Sequence, residues 1–294
     1  MDILVLGGTR FFGVYLVEKL LANGHKVTIA TRGIAKDNFG DRVTRLIVER
    51  CDADSLAKIF EKKEYDCIVD NICYASMDVK RLLEVAKCKR YVMTSTMSVY
   101  PLKDFHMNLK EEDFEPLSYP LKWYERPDAP YDEIKRQAEA ALFQKFGDVN
   151  AAAVRFPFVI GEEDYTKRLL FYVENVLKEK PMYIDNLKAE MSFIRAKDAG
   201  EFLVWMAENE ETGSFNAANA GTVTIEQILE YVEERTGKKA VLTQDSKGAT
   251  APYNGTPAYS INTEKSEEKG FSFTELNSFL PELLEFYIEK VSNT

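Results

Sequence analysis

Short apolar runs alternate with amphipathic stretches through the first half of the chain. The runs ILVLG, KVTIAT, TRLIVE, DCIVDNI, RYVMTST and AAAVRFPFVI read as strands. Several are apolar throughout, as expected of strands buried on both faces of a parallel sheet. Between the first two lies VYLVEKLLANG, in which Val14, Val17, Leu20 and Leu21 share one helical face and Gly24 follows as a C-terminal cap. Strand, glycine turn, helix, strand is a βαβ unit. Its repetition predicts an α/β fold, a Rossmann-type doubly wound parallel sheet.

The second half changes character. TKRLLFYVENVLKEK reads as a helix, and so does TIEQILEYVEERTGKK, where Thr224 and Gln227 are spaced as a capping box and Gly237 closes the element. A loop-rich patch, SKGATAPYNGTPAY, precedes a last helix, PELLEFYIEKV. These patterns place a boundary near Gly161. Residues 1–161 form the expected dinucleotide-binding domain, with later segments returning to it. Residues 162–294 form a smaller mixed C-terminal region, mostly for substrate binding.

Composition narrows the class. The 294 residues are 45 % apolar, enough for a sizeable core. No apolar run approaches the roughly 20 residues of a membrane span. The opening ILVL is too short for a signal peptide and runs into a glycine turn, so a cytoplasmic protein is expected. Cys51, Cys67, Cys73 and Cys88 lack paired or metal-type spacing and read as small hydrophobes. With only His25 and His106 present, histidine metal sites and Ser-His-Asp triads are not expected, and no metal is assigned. The net charge of −10 disfavours nonspecific binding to nucleic acid.

Three stretches carry candidate chemistry. GGTRFFG, Gly7 to Gly13, follows a strand and opens a helix, the context in which backbone amides hold a pyrophosphate. Its middle position is Arg10, where such turns usually have glycine. The second strand ends ATRG, placing Thr31 and Arg32 where an NAD site usually has an acid, which suits a 2′-phosphate better than a hydroxyl. The bland alternatives are a solvated Arg32 at a strand end and an Arg10 that bonds the pyrophosphate or a nearby carbonyl and selects nothing. In YDEIK, Tyr131 and Lys135 share a helical face, and a nearby ammonium would lower the phenol pKa from about 10. A second copy of this spacing, Tyr15 and Lys19, lies in the helix that the glycine turn opens and is read as structural. Finally, TSTMSVY sets Thr94, Ser95, Thr96 and Ser98 just past the fifth strand, where such sheets bind ligands. Local backbone bonding is the alternative there.

Together with VRFPFVIG, SFIRAKDAGEFL and GSFNAANAGTVTIEQIL, these motifs resemble the extended short-chain dehydrogenases/reductases, the NAD-dependent epimerase/dehydratase group, over most of the chain. The resemblance implies a catalytic Thr96, Tyr131 and Lys135, with Lys135 also holding the nicotinamide ribose. It implies cofactor contacts at Gly7, Thr9, Arg10, Phe11, Phe12, Gly13, Thr31, Arg32, Asn71, Ile72, Phe156 and Pro157. NADP is the expected cofactor, with NAD as the alternative. The implied activity is epimerisation, dehydration or reduction at a hydroxyl/carbonyl centre of a small molecule, commonly a sugar nucleotide. Arg168 and Arg195 could meet its phosphates or be surface charges.

The GGTRFxG form is similar to an atypical branch that includes plant chloroplast proteins reported to bind RNA. A non-catalytic, regulatory or RNA-associated NAD(P)-binding protein is therefore the rival reading. Between Tyr74 and Arg90 only the short helix MDVKRLLEVAKC fits, so the chain is expected to be a monomer or a dimer not built on the family's four-helix interface. The long stretch from Tyr100 to Tyr131 contains KWYERPD, whose aromatics could line a pocket or simply pack.

Overall fold

A computed structural model of the protein describes residues 1–61, 63–244 and 247–293. The first half runs β1 (Asp2–Leu6), α1 (Phe12–Ala22), β2 (Lys26–Thr31), β3 (Val43–Ile47), α2 (Ala53–Phe60), β4 (Tyr65–Asp70), α3 (Ser76–Leu83) and β5 (Cys88–Thr96). A long connection leads to α4 (Tyr131–Lys145) and β6 (Ala151–Phe156). There follow β7 (Phe158–Ile160), α5 (Arg168–Leu177), β8 (Pro181–Tyr183), β9 (Phe193–Arg195), α6 (Ala196–Glu208) and β10 (Gly213–Asn216). The chain ends with α7 (Ile225–Thr236), β11 (Val241–Thr243), β12 (Ala249–Thr250), α8 (Glu264–Glu268) and α9 (Leu276–Ser292).

A seven-stranded sheet in the order β10-β6-β5-β4-β1-β2-β3 forms the centre, and each of its pairings is parallel. Its apolar strands bury both faces because successive side chains point opposite ways. Ile3 and Val5 join the core beneath α1 and α6, while Leu4 and Leu6 join the core beneath α2, α3 and α4. In α1 the buried stripe is Gly13, Leu16, Val17 and Leu20, with Val14 and Leu21 half-buried beside it. Gly200 brings α6 onto α1: a Cβ there would lie 2.7 Å from the Leu16 nitrogen. Thus α6 and β10, both past Gly161, pack on or extend the central sheet. A further core gathers α5, α7 and α9 with Tyr253 and Tyr259 of the loop-rich patch. The first residue of that patch, Ser246, lies outside the described residues.

Several expected boundaries move for local reasons. AAAVRFPFVI is two strands, not one, because Pro157 lacks the N–H a ladder needs. β6 stays in the central sheet, while β7 turns away to pair with β9. The last helix starts at Leu276, before Pro281, which the helix accommodates internally. MDVKRLLEVAKC is helical only to Leu83, and Cys88 already belongs to β5. Thr94, Ser95 and Thr96 are the last residues of β5 and do not lie past it. The Thr224 capping box forms, its hydroxyl accepting from the Gln227 N–H at 3.1 Å, and Gly237 closes α7 at φ 69°. Among the described residues no helix is long and apolar enough to cross a membrane.

The connection from Tyr100 to Pro130 is tied to the sheet by a buried ion pair. Arg155 of β6 and Glu139 of α4 are fully buried and lie 2.6 Å apart. Arg155 also donates to the Tyr100 hydroxyl at 3.1 Å and to the carbonyls of Glu111 at 2.8 Å and Phe114 at 3.0 Å. Removing one partner strands the other charge in the core, which costs about 3–5 kcal/mol. Arg155→Met should therefore lower unfolding free energy by about that much in denaturant titration, and Arg155→Met with Glu139→Leu should recover most of the loss. Equal stability of the single variant and the natural chain would contradict this role.

Candidate cofactor and catalytic site

The strand order reverses between β1 and β4, which opens a crevice at their carboxyl ends. The glycine turn fills one side of it. Gly7 and Gly8 both have φ 93°, a left-handed backbone that favours glycine. A Cβ on Gly7 would lie 3.2 Å from Ile72 Cγ2, so the turn abuts the end of β4. A Cβ on Gly13 would lie 2.9 Å from the Gly8 Cα, so α1 starts in contact with the turn. The strain falls on Phe11, at φ 52° and ψ −135°. Its buried ring packs against Tyr165 at 6.1 Å and Phe12 at 5.7 Å, and Phe12 in turn meets Phe156 at 5.8 Å.

Two arginines lie past the ends of β1 and β2. Arg10 and Arg32 are exposed, and Thr31 holds the strand end by accepting from the Gly33 N–H at 3.1 Å. Asp37, beyond Arg32, is taken up by Arg45 at 2.6 Å, whose guanidinium holds its carboxyl below the usual range. On the β4 side, Asn71 Oδ1 accepts from the Thr94 hydroxyl at 2.9 Å, while Asn71 Nδ2 is a buried donor with no protein acceptor.

Thr96 ends β5, and Tyr131 opens α4 beside it. Pro130 precedes α4 and makes Tyr131 its first residue, so the ring stands at the mouth, 48 % exposed. The Thr96 hydroxyl acts on the Tyr131 phenol and itself donates to Ser98 Oγ at 3.3 Å. Burial of the phenol's hydroxyl end nonetheless raises its pKa above the ordinary value, with Thr96 and Arg168 opposing. This corrects the expectation that Lys135 lowers it. The Lys135 ammonium is buried and donates to the carbonyls of Cys73 at 2.7 Å and Thr94 at 2.8 Å. Desolvation lowers its own pKa. Of the other TSTMSVY hydroxyls, Ser95 is spent on Glu139 and Ser98 lies beside Thr96 at 3.3 Å.

The two candidate arginines separate. Arg168 lies over the Phe158 ring at 5.7 Å and acts on the Tyr131 phenol. Arg195 lies over Phe279 at 5.3 Å, in a small hollow with Tyr15 and Glu282. Tyr15 donates to Glu163 at 2.9 Å in that outer region.

The sequence reading missed Tyr74 and Arg126. The Tyr74 ring stands 6.3 Å from the Tyr131 ring and 5.4 Å from Lys135 Nζ. Arg126, from KWYERPD, covers Tyr74 at 4.4 Å. The rest of that segment packs along α3 and α4: Ser76 Oγ donates to the Lys122 carbonyl at 2.8 Å, and Arg81 pairs with Glu125. An arginine set among aromatics was the available signal.

The family model for the NAD dependent epimerase/dehydratase family matches residues 3–79 and 73–221. The chain belongs to that family. It is 24 % identical over 243 residues to the Arabidopsis thaliana chloroplast stem-loop binding protein of 41 kDa b, covering 77 % of this chain and 61 % of that protein. It is 25 % identical over 319 residues to UDP-glucuronic acid decarboxylase 1 of the same plant, covering 100 % of this chain and 71 % of the relative. The chain thus spans under two thirds of the first relative's length. The fold matches UDP-glucose 4-epimerase from Thermotoga maritima, solved with UDP-glucose, at TM-score 0.79 and 19 % identity, over 99 % of this chain and 100 % of that one. It also matches dTDP-glucose 4,6-dehydratase from Bacillus anthracis, solved with NAD, at TM-score 0.75 and 20 % identity, over 99 % and 98 % of the two chains.

The crevice fits the dinucleotide this family is named for. The turn is packed so closely that a Cβ at Gly7, Gly8 or Gly13 would meet Ile72, Val17 or Gly8 at 3.2, 3.0 or 2.9 Å, and the buried Asn71 donor, just past β4, has no protein acceptor.

Proposed function

We propose that the chain is an NAD(P)-dependent enzyme acting on a hydroxyl/carbonyl centre of a small molecule, with a sugar nucleotide as the substrate class. The single observation that carries this reading is that Tyr131 opens α4 beside the end of β5, where Thr96 is the last strand residue and Lys135 of the same helix donates to the Thr94 carbonyl at 2.8 Å. The nicotinamide, when bound, supplies the hydride chemistry. The chain's own residues bind, orient and move the proton. The amides of the turn from Gly7 to Gly13 hold the pyrophosphate, with Thr9, Phe11 and Phe12 shaping the turn around it. Asn71, Ile72, Phe156 and Pro157 line the crevice toward the reacting centre. Thr96 orients the substrate oxygen, and the Tyr131 hydroxyl gives up or takes its proton. Lys135 holds the strand ends together and meets the ribose. Arg168, on the Tyr131 side, is the candidate for substrate phosphate. Arg195 lies elsewhere.

The cytoplasm is the compartment this reading assigns. In this reading the chain is a monomer, or a dimer that uses a surface other than α3, against which the segment around Lys122 and Glu125 packs. A dimer pairing α3 helices would contradict it. The rival RNA-binding reading draws on the name of one relative, and the net charge of −10 opposes it.

Tyr131→Phe should lower turnover at least about 10²-fold, the usual scale of general acid–base catalysis. Cofactor affinity, read by fluorescence titration, should stay within about threefold, since the phenol adds little binding. Tyr15→Phe, outside the crevice, serves as the control and should be silent. Natural-level turnover by Tyr131→Phe would refute the assignment.

NADP is the proposed cofactor. Arg10 and Arg32 are exposed on neighbouring strand ends, with Asp37 already neutralised by Arg45. Each charge-assisted contact to a 2′-phosphate contributes roughly 1.5–3 kcal/mol, so one alone favours NADP about tenfold or more. Calorimetric titration should show that preference, and Arg10→Gly with Arg32→Asp should move it toward NAD. Equal affinities in the natural chain would remove NADP from the account.

A further inference from the structure

Tyr74 belongs to no strand or helix, yet it is held with unusual firmness. Its peptide bond with Cys73 is clamped at both ends: Lys135 Nζ donates to the Cys73 oxygen at 2.7 Å, and the Tyr74 N–H donates to Asp78 Oδ2 at 2.8 Å. Asp78 is only 1 % exposed, and the same oxygen accepts from Arg126 Nε at 3.1 Å. Arg126 caps the Tyr74 ring at 4.4 Å and anchors its other arm on the Ile72 carbonyl at 2.7 Å. The outcome is a ring fixed edge-on to Tyr131, with 6.3 Å between centroids and 64° between planes.

Tyr131 needs such a support. It is the first residue of α4, and one side of its ring is open. A half-exposed side chain takes its orientation from what it touches on the closed side. An edge-to-face aromatic neighbour restricts that orientation more than an aliphatic one does. The ammonium four residues along the same helix face is meanwhile committed to carbonyls.

We propose that Tyr74 is a positioning residue, the ring through which Lys135 and Arg126 hold the Tyr131 phenol against Thr96. Lys135 then acts on the proton-transfer group through the Cys73–Tyr74 peptide, by orientation. This rests on the reading of Tyr131 as the acid/base. It differs from that reading in giving Tyr74, which touches no reacting atom, control over the rate. A displacement of about 1 Å at a reacting group can cost about 10²-fold.

The groups facing Tyr131 are Thr96 from β5, Arg168 from α5 and Tyr74 ahead of α3. The test compares Tyr74→Leu, Tyr74→Phe and Arg126→Gln in the full chain, with folding checked by thermal unfolding. One readout is kcat and KM on a sugar nucleotide. The other needs no substrate: titration of the Tyr131 ring by NMR of 13C-labelled tyrosine, assigned by its loss in Tyr131→Phe. Tyr74→Leu should lower kcat about 10- to 100-fold with KM within about threefold. It should also move the Tyr131 midpoint down toward the ordinary value near 10, because water replaces the ring that helps bury the phenol. Tyr74→Phe, which keeps the ring, should restore both. Arg126→Gln should move the midpoint the same way by less, and it stands in if Tyr74→Leu does not fold. A folded Tyr74→Leu with the natural kcat and midpoint would overturn the proposal, and so would equal damage in Tyr74→Phe and Tyr74→Leu. If instead Tyr131→Phe turns over normally, the acid/base reading fails, and the NMR comparison still judges the hold of Tyr74 on the ring.

Discussion

The contact between Gly13 and Gly8 has no room for a side chain. A Cβ on Gly13 would stand 2.9 Å from the Gly8 Cα, well inside the distance real carbons keep. This contact fixes where α1 begins relative to the end of β1, and hence the aim of its first amides. Gly200 repeats the constraint one layer out, where a Cβ would meet Tyr15 Cβ at 2.7 Å, so α6 rests directly on α1. Two glycine contacts thus set the spacing of a helix pair and the mouth of a crevice. The conformational cost of the turn is concentrated at Phe11, whose backbone angles suit glycine and whose ring is trapped beside Tyr165 and Gly161.

Charge is divided by task. Arg155 with Glu139, and Arg50 with Asp70 at 2.5 Å, are buried pairs that hold elements together. Arg42 and Arg45 are neutralised on the surface by Glu18 and Asp37. Arg10 and Arg32 stand out against this background as exposed cations at the edge where a ligand would enter. Lys135 sits between these classes. It is buried like a structural ion, and its hydrogen bonds tie together the backbone at two adjacent strand ends, at Cys73 after β4 and Thr94 on β5.

Much of this was legible in the chain. Continuous apolar runs gave the parallel strands, because burial on both faces leaves no polar alternation to read. The turn follows β1 and TSTMSVY ends β5, and a parallel sheet necessarily gathers such ends along one edge, while YDEIK opens α4. What escaped was set by contacts between distant segments. Arg126 reaches Asp78 across 48 residues, and no local pattern announces that. Four-residue spacing correctly placed Tyr131 and Lys135 on one helix, but spacing does not reveal that nearby carbonyls claim the ammonium. The split at Pro157 was readable in principle, since proline cannot continue a central ladder. The early start of α9 was not, because Pro281 is itself a plausible first helical residue.

The central claim is that the carboxyl edge around Gly7, Asn71 and Tyr131 is a dinucleotide site. Amide hydrogen exchange followed by mass spectrometry, with and without saturating NADP, tests it most directly. The account predicts slowed exchange in the segments 7–14, 71–75 and 94–98, with β11 and α8 unchanged. Binding without protection of the glycine turn, or protection confined to other surfaces, would contradict it.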